Sequence, residues 1–450
     1  MKGSPFETKS VPKAYFSLSL PVVLGMVITI FYNITDTYFI AKTGNTSLVA
    51  GISLCAPVFT MLMAFGNIFG QGGSSLISRL LGEKRQDALR RVSSFCFYAS
   101  IIVGAVFGGA MLLFRRPLLA VLGADADTAP YAQPYYTWMA LGAPLVVLTF
   151  IHTNLLRAEG MAKESMIGSV GGSVVNILLD PVLIFTLNMG ASGAAIATLL
   201  GYLFTDVYCL AVVLRKSRVL SVHPGYWKIS GEEAGQILGI GIAAALANIM
   251  SSFCVVLTNQ SLLVYGSDKI AAMGIVQKIS MVVMLVVTGF SFGGAPLIGF
   301  YYGKKDRQML RRLLRFVAVF LVSTALILSA CLMAAAPLAV SVFLSRGELA
   351  DTAVFMLRLQ VAGMAAMAVV LLCQIIFQAS GKTGSALALS VSRQGVVFAA
   401  ALFVCIRLWG YHGIVAAQLL ADCLSALLAL ALLWRTFRTD PVLGRGETNC

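Results

Sequence analysis

The sequence predicts an all-α integral membrane protein, with twelve transmembrane helices in two parallel six-helix bundles related by a pseudo-two-fold axis along the membrane normal. Three observations predict it. Of 450 residues, 58% are hydrophobic and only 12% charged, against about 25% charged in an ordinary soluble domain. Apolar runs long enough to cross a bilayer follow one another along the whole chain. The second half of the sequence repeats the first at a fixed offset.

Half the usual charge leaves too little polar surface to cover a water-soluble globule. That excludes a soluble enzyme, a disordered chain and a fibrous repeat. The 9 Cys stand singly, with no C-x-x-C pair. They are expected as small membrane hydrophobes, not as disulfides or metal ligands. His152, His223 and His412 are too far apart to suggest a ligand set. Lys2, Lys9 and Lys13 precede an apolar run too long for a signal peptide.

A spanning helix needs about 20 mostly apolar residues. Span 1 covers 14–41 and carries Pro21 and Asp36. Span 2 (48–79) contains Pro57 and runs into a basic stretch; span 3 (92–114) ends at Arg115-Arg116. Span 4 (131–155) contains Pro144, and span 5 (164–187) contains Asn176, Asp180 and Pro181. Span 6 (190–214) contains Thr198 and Asp206. The linker 215–236 follows, with His223-Pro224-Gly225. Spans 7 (237–264), 8 (270–302, with Lys278 and Pro296), 9 (316–340), 10 (353–379), 11 (385–407) and 12 (411–434, with Asp422) complete the set. Each internal proline removes a backbone donor and can kink its helix. Pro21, on the same helix as Asp36, is the expected hinge.

Assigning every Lys and Arg to an end places 25 on the N-terminal side, 7 on the other and Lys278 within a span, out of 33. Arg393 is counted among the 25, on the N-terminal side with Lys382. The bias predicts both termini in the cytoplasm. The net charge of +14 is thus a topology signal, with no nucleic-acid partner implied.

Shifted by 221, residues 72–91 (GGSSLISRLLGEKRQDALRR) fall on 293–312 (GGAPLIGFYYGKKDRQMLRR) with 9 identities in 20. Gly160 falls on Gly381, and Gly193 on Gly413 at an offset of 220. The expected organisation is an N-lobe (1–214), a cytoplasmic linker (215–236), a C-lobe (237–434) and a cytoplasmic tail (435–450). An even number of spans per half makes the repeats parallel, the architecture of an alternating-access transporter. A passive channel or a non-transporting scaffold is the alternative class.

Ionisable groups at membrane depth are costly and mark functional candidates. Asp36 and Asp180 each lie roughly 9–12 Å below the outer end of their spans, at 1.5 Å per residue. Thr198 lies at the same level, and Asn176 is one turn deeper on the face of Asp180. Two close carboxylates need a proton or a cation between them, so the cluster suits H⁺ or Na⁺. The repeat places Leu257 and Ala401 where the first half has Asp36 and Asp180, so the ion site is not duplicated. Asp206, near the inner end of span 6, is expected to reach water. Asp422 and Lys278 are secondary candidates. No Walker A or HExxH motif is present, which argues against ATP-driven transport and enzyme chemistry.

The ordered set of motifs resembles the multidrug and toxic compound extrusion (MATE) family over essentially the whole chain. It comprises Pro21 with Asp36-Thr37-Tyr38, GQGGSSLISRLLGEK (70–84), RAEGMAK (157–163), Asn176-x3-Asp180-Pro181, GAAIAT (193–198) and GGAPLIGFYYGKK (293–305). The 70–84 stretch looks most like the MepA-like bacterial branch. The resemblance implies a multidrug antiporter of the bacterial cell membrane. It would export organic cations and other amphipathic compounds in exchange for H⁺ or Na⁺, without a cofactor, as a monomer in the lipid bilayer. It implies an ion site at Asp36, Asn176, Asp180 and Thr198, with Na⁺ as the metal candidate, and a bending point at Pro21. It also implies substrate contacts at Tyr32, Tyr135 and Asn154. A lipid-linked oligosaccharide flippase of the same superfamily is the alternative cargo reading. One departure stands out: a second branch of the family has acids in spans 7 and 10, where this chain has Asn248, Asn259, Gln260, Gln374 and Gln378.

Overall fold

The computed structural model describes residues 5–8, 10–344 and 347–444. Lys2, Lys9, Arg346 and Arg445, used above for topology, lie outside the described residues. Within them every regular element is helical.

The spanning elements are α1 (Val11–Lys42), α2 (Thr46–Gly82), α3 (Gln86–Leu113), α4 (Ala129–Leu141 with Ala143–Ala158), α5 (Ala162–Thr186) and α6 (Gly190–Lys216). After the linker come α7 (Gly231–Leu263), α8 (Ser267–Gly303), α9 (Arg307–Ala334) and α10 (Glu348–Ala379). The last helical segment, Thr383–Thr439, passes Gly410 at φ 55° and ψ −125°. That break divides it into α11 (383–409) and α12 (411–439), which brings the crossings to twelve.

Three prolines mark where helices are interrupted, whereas Pro21 and Pro296 lie within the continuous helices α1 and α8. In α2 the helix stops at Cys55 and restarts at Ala56 with Pro57 in its first turn. In α4 the break falls at Gly142, just before Pro144, and the two parts meet at 54°. After Pro181 the end of α5 widens into a π turn over Val182–Thr186. A missing N–H and a ring that crowds the preceding turn explain each site.

The repeated motifs have conformational reasons. Lys84 (φ 60°) and Lys305 (φ 59°) occupy the same left-handed position in the turns after α2 and α8. Gly160 (φ 94°) and Gly381 (φ 73°) do so after α4 and α10. A helix that ends in this way needs one left-handed residue, and glycine takes it without steric cost.

The chain packs as two compact units, 24–245 and a second made of 1–23 with 246–450. Their limits fall inside α1 and α7 rather than in the 215–236 linker. A Cβ on Gly72 of α2 would strike the Ile237 carbonyl of α7, so the first part of α7 is seated in the first unit. Arg91 pairs with Glu233 there at 3.2 Å. A Cβ on Gly293 of α8 would likewise strike the Ser19 backbone, which seats the first part of α1 in the second unit. Tyr15 donates to the Phe290 carbonyl at 2.8 Å, and its ring packs edge-on against Phe316 and Phe320. The glycine pair conserved between the two repeats of this chain is therefore a pair of close helix crossings.

Candidate functional site

The site in the first unit begins with a crossing of two helices. Gly172 of α5 and Gly201 of α6 meet backbone to backbone; a Cβ on Gly201 would lie 2.7 Å from the Gly172 carbonyl. One turn beyond this crossing, Asn176 and Thr198 face each other. Asn176, Asp180 and Thr198 are all buried.

Only one orientation of the Asn176 amide satisfies both neighbours. Its nitrogen donates to Asp180 Oδ2 at 3.1 Å, and its oxygen accepts from the Thr198 N–H at 2.9 Å. The Thr198 hydroxyl donates to the Ala194 carbonyl at 3.0 Å. Asp180 Oδ1 receives no donor. The Asp36 carboxyl, half-buried on α1, stands at hydrogen-bonding range of Asp180. Two carboxylates so close require a proton or cation between them. The four oxygen-bearing residues expected at one depth are brought together.

Tyr32 and Tyr135 adjoin the acid pair, both within electrostatic reach of Asp36. Tyr202 joins them and also faces Asp36. Sequence reasoning missed it, although its place one turn after Thr198 on α6 was the available signal. Asn154 is engaged elsewhere. Its amide nitrogen donates to the Phe150 carbonyl at 2.6 Å and packs on Gly70 of α2.

Ile40 and Ile184 follow Asp36 and Asp180 by one turn, toward the Lys42 end of α1 and the Thr186 end of α5. Both are buried in one apolar cluster with Leu48, Ala191 and Ala194. Phe39, Phe185 and Tyr135 pack against it. This apolar cluster thus lies one turn beyond the acid pair on both helices.

Two expectations need correction. Asp206 does not reach water: it is 4% exposed and is hydrogen-bonded by Thr149 at 3.0 Å, with His152 at 3.3 Å. Arg393 does not stand at the helix ends with Lys382. It lies in a π turn (Ser392–Val396) within α11 and pairs with Asp422 of α12 at 2.8 Å. Eleven residues separate it from Lys382, which is about 16 Å of helix. Removing it from the cation tally leaves the bias between the two sides intact.

The Arg393–Asp422 pair borders a cavity of about 470 Å³ in the second unit. Met273, Met281, Met284, Met364 and Met367 line it, and Lys278 stands at its edge. Asp422 therefore already has an internal cation. Cys254 and Gln418 meet in the same wall, with Sγ and Oε1 3.4 Å apart.

The description MatE matches residues 21–182 and again 243–404, once in each repeat. The chain is 31% identical over 432 residues to the multidrug export protein MepA of Staphylococcus haemolyticus, covering 95% of this chain and 94% of that protein. MepA of Staphylococcus aureus strain MRSA252 is 31% identical over 432 residues, covering 95% of each. Among solved structures, a multidrug resistance MATE family transporter in an outward-facing conformation superposes with a TM-score of 0.90 at 23% identity, covering 98% of this chain and 99% of that one. A MATE structure in the bent conformation gives a TM-score of 0.90 at 24% identity, covering 98% of each chain.

Proposed function

The chain belongs to the MatE family of multidrug efflux transporters, and on that footing we propose that a proton, taken up at Asp36 and Asp180 from outside, drives export of amphipathic organic cations. It is a multi-pass membrane transporter and not an enzyme. The observation that carries the proposal is the acid pair, held at hydrogen-bonding range with an apolar cluster one turn beyond it.

The donor arrangement favours H⁺ over Na⁺. A Na⁺ site would point its oxygens at the ion. In the amide orientation that satisfies both neighbours, Asn176 gives its N–H to Asp180 and its oxygen to the Thr198 N–H, so it presents no oxygen to an ion at the carboxyls. A shared proton needs no further ligands. With both carboxylates ionised, the site attracts a cationic drug. Protonation removes that charge and the attraction with it. The ion drives the change only through its different affinity for the two states. Each charge moving inward gains about 2.3 kcal/mol per 100 mV.

The methionine-lined cavity supplies adaptable apolar surface of a size suited to a small drug. Because Arg393 already neutralises Asp422, selection for cations falls to Asp36 and Asp180. Pro21 lies two residues before the limit between the compact units on α1. That supports its role as the bending point, with Tyr32 and Tyr135 as cargo contacts. The cation bias supports a cytoplasmic position for both termini.

The test is efflux of ethidium from proteoliposomes under a pH gradient alone or a Na⁺ gradient alone. The pH gradient drives efflux and the Na⁺ gradient does not. Asp36→Asn and Asp180→Asn each abolish the response to pH. Efflux still driven by the pH gradient in both variants refutes the assignment.

A further inference from the structure

His152 and Asp206 form a buried pair that the coupling site does not use. They are 3% and 4% exposed. Asp206 Oδ1 accepts from the Thr149 hydroxyl at 3.0 Å and lies 3.3 Å from His152 Nδ1. Asp206 Oδ2 and His152 Nε2 have no hydrogen-bond partner. With one proton the pair is neutral overall; without it a buried negative charge remains, which is costly. Imidazole with carboxylate is thus a natural holder of a single exchangeable proton.

The pair is placed in line with the acid site. Thr198, Tyr202 and Asp206 recur every four residues on α6 and so share one face. Two helical turns, about 12 Å, separate Thr198 from Asp206. Tyr202 stands between them on that face, its ring stacked on Phe59 of α2 at 6.3 Å between centroids. Its hydroxyl can donate and accept at once. His152 lies five residues before Arg157 at the end of α4, and Asp206 ten before Lys216 at the end of α6. The pair is therefore nearer than the acid site to the ends assigned to the cytoplasm.

The groups facing the pair are few. On α6, Cys209 interacts with Asp206 and also with Arg157 of α4. Arg157 hydrogen-bonds Ser165 of α5 at 3.2 Å. From α3 the Phe97 ring faces the imidazole at 5.6 Å between centroids. Thr205 of α6 turns its hydroxyl to the Gly168 carbonyl of α5 at 3.1 Å.

We propose that His152 and Asp206 are a second proton-binding site, which takes the coupling proton from Asp36–Asp180 through the Tyr202 hydroxyl and releases it toward the inner side. The inference rests on the coupling reading above. In the transfer, Tyr202 accepts one proton from the acid pair and gives its own to His152–Asp206. The acid pair gains one negative charge, the second pair loses one, and the tyrosine is unchanged.

The test uses the full chain in proteoliposomes with ethidium as probe. Two rates are measured for each variant: ethidium exchange without a gradient, and ethidium movement driven by an imposed pH gradient. In His152→Gln, Asp206→Asn and Tyr202→Phe the driven rate falls at least about tenfold relative to exchange. Tyr202→Phe removes only a hydroxyl and serves where the other two do not fold. A driven-to-exchange ratio within twofold of the wild type overturns the relay. If Asp36→Asn and Asp180→Asn lose coupling while these three keep it, the relay fails and the coupling reading stands. If His152→Gln loses coupling while Asp36→Asn and Asp180→Asn keep it, the proposed order is overturned, since the proton would then enter at His152–Asp206.

Discussion

Arg393 and Asp422 pair two buried charges in one half of a duplicated protein, at positions where the other half, at the offset of 221, has Gly172 and Gly201. Removing one member of a buried ion pair leaves the other unpaired, typically at a cost of about 3–5 kcal/mol. Arg393→Gln should therefore lower the unfolding temperature of the purified transporter sharply. The double variant Arg393→Met with Asp422→Leu should recover most of the loss. Both are read by thermal unfolding in detergent. A second prediction concerns Asn176, which clamps Asp180 to Thr198. Asn176→Ala leaves a buried carboxylate oxygen without its donor, and removal of one such bond costs about 1–3 kcal/mol. Drug binding should weaken by about tenfold or more, measured by ethidium fluorescence titration. Asp180, Asn176 and Thr198 were legible in the sequence because helical spacing puts them at one depth. The Asp206–His152 contact was not, since 54 residues separate its members and only the packing of α4 on α6 joins them. Arg393 was misplaced because its nearness to Lys382 in sequence hid the depth that eleven helical residues reach.

At the scale of elements, small residues decide which helices can touch. Gly72 and Gly293 occupy equivalent places in the repeats, each pressed against another helix's backbone. Gly72→Val and Gly293→Val should each destabilise by about 1–3 kcal/mol or more, because a backbone cannot move aside as a side chain can. Gly109 of α3 is the control, since nothing lies within 4 Å of a Cβ built there. Gly109→Ala should be neutral or stabilising by up to about 1 kcal/mol. Thermal unfolding of the three variants in one detergent separates these outcomes. The span limits were readable from hydropathy, and the prolines forecast the breaks in α2 and α4. The seating of the first parts of α1 and α7 was not readable, because an apolar run does not say which neighbour it will meet.

For the molecule as a whole, Asp440 ties together parts of the second unit that are distant in sequence. It pairs with Lys382 at 2.6 Å and accepts from the Tyr302 hydroxyl at 2.8 Å. Its other oxygen accepts from Val442 N–H at 2.8 Å and Leu443 N–H at 3.1 Å. Burial by itself would push this carboxyl up. The bonds from Lys382, Leu443, Tyr302 and Val442 outweigh it and hold the carboxyl below its ordinary value of 3.8. A carboxyl depressed in the folded state stabilises above its unfolded pKa, and that stability is lost as pH falls through the folded pKa. Wild type should thus be more stable than Asp440→Asn at pH 7. The gap should close as the pH is taken below about 4, in unfolding temperatures measured across that range.

The exchange of helix ends between the two units bears on how the chain is made. Domains of a growing chain generally complete themselves in order of synthesis. Here that order cannot hold for the opening helix. Val11–Val23 find their packing partners among residues beyond 245, so the first helix threaded into the membrane is among the last to be completed. Until Gly293 has been translated, the groove that receives Ser19 does not exist, and the leading end of α1 must wait in lipid for a surface not yet synthesised.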